Sequence, residues 1–78
     1  MSQPSSPKSI ADLKVGQKGR INAFTDAEMS LKLLEMGCLP GSEVSVVGLA
    51  PLGSPMCINV SGYNLALRRE EAATILIQ

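Results

Sequence analysis

Punctuation by glycine and proline limits this chain more than any other feature. Seven glycines and five prolines cut the apolar residues of a 78-residue sequence into short pieces. The longest candidate run, Val46-Val47-Gly48-Leu49-Ala50, contains a glycine and ends at Pro51. A spanning helix needs about 20 apolar residues in succession, so no direct membrane insertion is expected. A chain of this length forms one domain and buries roughly 60–65% of its unfolded surface. That leaves room for one core and little else.

Seven basic and seven acidic side chains balance, whereas binding to a phosphate backbone draws on clustered cations. One tyrosine, one phenylalanine and no tryptophan make a poor stacking platform for bases. Nucleic acid is therefore not an expected partner. The absence of histidine removes the usual neutral-pH acid or base and the commonest transition-metal ligand. An enzyme with its own pocket is not expected; a module that works by touching another protein is. Residues 1–8, Met1 to Lys8, lack the apolar stretch of an export signal and read as a flexible tail. The expected location is cytoplasmic, with Cys38 and Cys57 as free thiols.

Residues 9–78 carry the pattern of a folded domain. Ser9 to Leu13 reads as a helical turn capped by Ser9, and Lys14 to Gly19 as a glycine-punctuated turn. Arg20 to Phe24 alternates as a strand does. Thr25 and Glu28 have capping-box spacing, Glu28 and Lys32 are a favourable i,i+4 pair, and Gly37 supplies a stop. These signals predict a helix over Asp26 to Met36. Leu39-Pro40-Gly41-Ser42 reads as a turn, Glu43 to Val47 as a strand and Ala50 to Pro55 as a loop. Met56 to Ser61 and Asn64 to Arg68 form a hairpin around Gly62; a helical turn over Arg69 to Ala73 and a last strand over Thr74 to Ile77 follow. About five short strands with one inserted α-helix predict a mainly β fold, a small and partly open barrel. Exposed strand edges in such a barrel allow weak homo-oligomers.

At 100° per residue the helix carries two apolar stripes. Met29, Leu33 and Met36 form one; Ala27, Leu31 and Leu34 form the other, with Glu28, Lys32 and Glu35 along an edge between them. Either the helix lies in a groove that buries both, or the second stripe packs on the N-terminal turn, or one stripe is a docking face. In the loop, Leu52 stands between Pro51 and Pro55, a rigid apolar segment that is either a barrel corner or a preorganised contact. Cys38 and Cys57 lack ligand spacing and read as small buried or half-buried apolar residues. Asp26 and Glu28 are accounted for by capping, and Glu70 and Glu71 beside Arg68 and Arg69 by a solvated charged face. No metal site and no cofactor are expected. Lys18, Arg20, Arg68 and Arg69 form at most a small basic patch.

Leu33-Leu34-Glu35-Met36-Gly37-Cys38-Leu39-Pro40-Gly41 resembles the helix-to-turn signature of the FeoA family. So do Ala50 to Met56, Gly62 to Ala72 and the Leu13, Gly16, Gly19, Ile21 spacing, in order from Ser9 to Ile77. The family usually has Arg where Lys32 stands and often Asp where Ser54 stands. The resemblance implies an SH3-like barrel acting as an accessory to bacterial ferrous iron uptake. Its implied partner is FeoB, a large membrane transporter with a cytosolic GTP-binding part, through which the chain would sit peripherally at the inner membrane. An alternative is a metal-responsive regulatory domain related to the SH3-like domain of iron-dependent repressors. The family pattern also implies that Leu33 and Met36 are the buried stripe, leaving Leu31 and Leu34 more exposed. Candidate partner-binding residues are Leu31, Leu34, Glu35 and Leu39 at the helix and turn, and Pro51, Leu52 and Pro55 in the loop.

Overall fold

Period-two alternation of apolar and polar side chains sets the strands. In the computed structural model, which describes residues 8–78, the chain begins with β1 (Lys8–Ser9) and a 3-10 turn (Ile10–Asp12). Then come β2 (Lys18–Phe24), α1 (Ala27–Glu35), β3 (Glu43–Leu49) and β4 (Met56–Val60). The chain closes with β5 (Tyr63–Leu67), α2 (Arg69–Ala72) and β6 (Ile75–Ile77). The expected tail falls on residues outside those described, save Lys8, whose backbone pairs with Ile77. Strand order is β1-β6-β2-β3-β4-β5, antiparallel throughout, so the sheet is mainly β, as expected, and does not close.

β2 serves two ladders. Its first residues, Lys18 to Arg20, pair with β3, and Ile21 to Phe24 pair with β6 across an irregularity at Asn22. The strand begins at Lys18, two residues before the expected start, because Gly19 lies in the ladder rather than in a turn. A Cβ at Gly19 would stand 2.8 Å from Ile77 Cδ1 and 3.3 Å from its Cβ, so a side chain at this crossing would push Ile77 aside. Another shift occurs at the β4–β5 hairpin. Ser61 and Gly62, both at positive φ, form a two-residue turn; β4 therefore ends at Val60 and β5 begins at Tyr63.

The inner faces meet in one core. Ile10, Ile21, Leu33, Met56, Ile58, Leu67 and Ile75 are fully buried; each such side chain contributes about 1.5–3 kcal/mol. On α1 the Met29, Leu33, Met36 stripe faces inward, with Leu33 buried and both methionines packed against the core. The N-cap is Asp26 instead of Thr25: its carboxylate accepts from the Met29 amide at 3.0 Å. Thr25 remains bound to the sheet, its amide donating to Thr74 O at 2.9 Å. At the other end Gly37, at φ +103°, lets the Cys38 amide reach Leu33 O at 2.9 Å and its own amide reach Leu34 O at 3.1 Å. This reverse turn satisfies the last carbonyls of the helix. At the first turn Ser9 is the N-cap, as expected, in a capping box whose Asp12 carboxylate accepts from the Ser9 amide at 3.0 Å.

A charged contact also holds α1. Lys32 turns to Glu71 rather than to Glu28: its Nζ donates to Glu71 Oε2 at 2.9 Å, and the Arg68 amide donates to Oε1 at 2.9 Å. Glu71 is only 7% exposed, which corrects the expectation that it lies on a solvated face with Arg68 and Arg69. Burial is tolerated because both oxygens are bonded. The side chain of Lys32 is 62% exposed, so solvent screens the Coulombic part of the pair.

The Lys32 hydrogen bond, followed by that from the Arg68 amide, holds the Glu71 carboxyl below its ordinary range, against desolvation. A lowered native pKa adds stability above the ordinary glutamate range; that increment is lost as pH falls through the native value. Glu71→Gln is therefore expected to be less stable near neutrality and to flatten the acid limb of stability below the ordinary glutamate range, read by urea unfolding across pH. Gly19→Ala is expected to cost about 1–3 kcal/mol through overpacking against Ile77, with a lower urea midpoint at unchanged m-value.

Candidate functional site

The inward stripe of α1 leaves the opposite side of the helix to solvent. Leu31 is 67% exposed and Glu35 is exposed, while Leu34 is half-buried. Leu34 is thus less accessible than Leu31. Leu39 is exposed in the turn between α1 and β3. That turn has the expected form: the Ser42 amide donates to Leu39 O at 3.0 Å and Gly41 takes positive φ. Arg20 braces it from β2, Nη1 donating to Gly41 O at 2.8 Å.

The second group lies in the loop between β3 and β4. The Gly53 amide donates to Ala50 O at 2.8 Å, making a tight turn with Pro51 and Leu52 at its centre. The Ala50 amide donates to Pro55 O at 3.2 Å and closes the neck. Pro51 and Pro55 are exposed, and Leu52 is 95% exposed, the most accessible large apolar residue among those described. Val47 and Leu49 add exposed apolar surface on the strand that enters the loop. Alternation alone missed this extension, because the pairing passes from Val46 with Ile58 to Gly48 with Cys57 and leaves Val47 as a bulge.

One short element touches both groups. At the start of α2, Arg69 Nη1 donates to Gly53 O at 3.3 Å and Nη2 to Ala11 O at 3.3 Å, while its amide donates to Ser54 Oγ at 3.2 Å. Two residues on, Glu71 holds Lys32 of α1. Of the four candidate members of a basic patch, Arg20 and Arg69 have guanidinium groups engaged with backbone carbonyls. No local motif signals these braces: Arg69 and Ala11 are 58 residues apart in sequence, and Lys32 and Glu71 are 39 apart.

The cysteines differ from each other. Cys38 is buried, and burial pushes its thiol up from the ordinary value. Cys57, expected at least half-buried, is exposed on the outer side of β4 between Gly48 and Ala66. The outward phase of the β4 alternation places it there, opposite Met56 and Ile58. Among the described residues no three of His, Cys, Asp and Glu gather as a metal site would require. Asp26 is committed to its cap and Glu71 to Lys32 and Arg68. What the two groups offer chemically is apolar contact area on well-braced turns.

The FeoA domain family matches residues 8–78. A Fe(2+) transport protein A/Fe(2+) transporter FeoB fusion protein of Porphyromonas gingivalis is 43% identical over 47 residues, which are 60% of this chain and 6% of that protein. The chain therefore spans a small fraction of this curated relative. The NMR structure of an FeoA-like protein from Clostridium acetobutylicum superposes with a TM-score of 0.87 at 26% identity, covering 96% of this chain and 88% of that one. Stenotrophomonas maltophilia FeoA in complex with zinc is described as a procaryotic SH3 domain protein and was proposed as a ferrous iron transport activating factor. It shares the fold at a TM-score of 0.78 and 24% identity, over 90% of this chain and 88% of that one. A manganese-dependent transcriptional repressor has the same fold over 96% of this chain and 37% of its own length, at 14% identity and a TM-score of 0.83. The expected SH3-like architecture is thus present, and with the family match running from Lys8 to the last residue, the chain belongs to the FeoA family.

Proposed function

We propose that this chain is a non-enzymatic accessory of ferrous iron uptake that docks on the cytosolic, GTP-binding part of a FeoB-type transporter and modulates its nucleotide cycle. The observation that carries the reading is the relative in which a segment like this one is covalently joined to the transporter. Fusion keeps two domains at high effective concentration, which is useful where they act on one another. The docking surface is the exposed side of α1 with its following turn, Leu31, Leu34, Glu35 and Leu39, together with Pro51, Leu52 and Pro55 of the loop. Its support is physical. Isolated exposed leucines are ordinary, but Leu52 at 95% exposure sits on a turn closed by two backbone hydrogen bonds. Little conformational freedom is left for binding to remove. The chain then works at the cytoplasmic face of the membrane through its partner, and any link to iron runs through that partner.

Leu31→Asp and Leu52→Asp are expected to weaken docking on the transporter's cytosolic part by at least about tenfold each, measured by calorimetry. Both should melt within about 2 °C of the parent, since their side chains lie in solvent. Leu34→Asp should weaken docking and lower the melting temperature as well, because that leucine is half-buried. Absence of binding by the unmodified chain at high micromolar concentration, with no change in GTP hydrolysis, rules the reading out.

A further inference from the structure

A turn closed by its own hydrogen bonds has a fixed shape, yet those bonds do not set where it points. In loop 50–55 the internal bonds are Gly53 to Ala50 and Ala50 to Pro55, and both lie within the loop itself. Its direction is set by α2. The first amides of a helix lack intrahelical partners, and here the Arg69 amide is taken by Ser54 Oγ, the hydroxyl of the loop, at 3.2 Å. The guanidinium of the same residue spans Gly53 O and Ala11 O, both at 3.3 Å, which ties the loop to the 3-10 turn. A planar fork is suited to bridging two acceptors fixed on different segments. Glu71, one helical turn or less away, fastens α1 through Lys32 at 2.9 Å.

We propose that α2 is a brace that sets loop 50–55 relative to α1, and that Arg69 is the positioning residue which presents Leu52 for docking. The proposal rests on the docking reading above and adds to it a reason why the two apolar groups act as one surface. With Arg69 in place, the loop is presented in a single direction and loses little freedom when a partner covers it. Without it, the loop swings on its neck and the bonds that close the turn, Gly53 to Ala50 among them, open more often.

Two readings test this on the full chain: amide exchange at Gly53, and calorimetric docking on the cytosolic part of the transporter for Arg69→Ala, Leu52→Asp and the double variant. Arg69→Ala is expected to speed Gly53 exchange by about tenfold and to weaken docking by about fivefold. In the Leu52→Asp background it should change docking by less than about twofold, because the side chain being positioned is no longer apolar. Arg69→Lys, which keeps the charge without the fork, should restore part of both effects, and it carries the comparison if Arg69→Ala does not fold. Unchanged Gly53 exchange overturns the brace while leaving the docking reading intact. An equal loss of docking in both backgrounds overturns the role assigned to Arg69. Docking unaffected by Leu52→Asp overturns the docking reading, and the role of the brace in it, whatever the exchange shows.

Discussion

β2 belongs to two ladders at once, and the rest of the molecule is arranged around that constraint. Its first half holds β3, and through β3 the β4–β5 hairpin; its second half holds β6, which in turn holds β1. The two ladders fall on successive parts of the strand, and an irregularity at Asn22 interrupts the second. The crossing is tight enough that a side chain at Gly19 would have to displace that of Ile77. β2 gives Ile21 to the core and β6 gives Ile75 and Ile77, while β3 and β4 supply Val44, Val46, Met56, Ile58 and Val60. α1 is inserted between β2 and β3, so the sheet fixes both of its ends and packing has only to choose which stripe turns inward.

That choice has consequences for surface chemistry. Once Met29, Leu33 and Met36 turn to the core, Leu31 is left in solvent, and the following turn carries Leu39 outward as well. The buried carboxylate of Glu71 then secures the helix from the far side of the sequence, with the Arg68 amide and Lys32 each taking one oxygen. Arg69, two residues earlier, grips the loop that carries Leu52. A four-residue helix is thereby bonded both to α1 and to the loop that carries Leu52.

How much of this was legible in the sequence depended on whether the signal was local. The two apolar stripes of α1, its stop at Gly37, the Leu39-to-Ser42 turn, the loop at Ala50 to Pro55 and the alternation of β4 all follow from spacing within a few residues, and all are present. The FeoA-like motifs also pointed to an SH3-like fold. What local spacing could not show are contacts between distant segments. Thr25 looked like a better cap than Asp26 until the sheet claimed its amide; Glu71 looked solvated until Lys32 reached it. Gly19 read as a turn because its close approach to Ile77 leaves no trace in neighbouring residues. The candidate docking residues were legible as types, but the braces that hold them, Arg20 and Arg69, were not.

The most direct test of the account is chemical-shift mapping of the labelled chain during titration with the cytosolic, GTP-binding part of a FeoB-type transporter. Saturable shifts are expected at Leu31, Glu35 and Leu39 and along Leu49 to Pro55, with the outer face of β4 and β5 unmoved. Saturable shifts confined to β4 and β5, or no shifts at high micromolar partner, would contradict it.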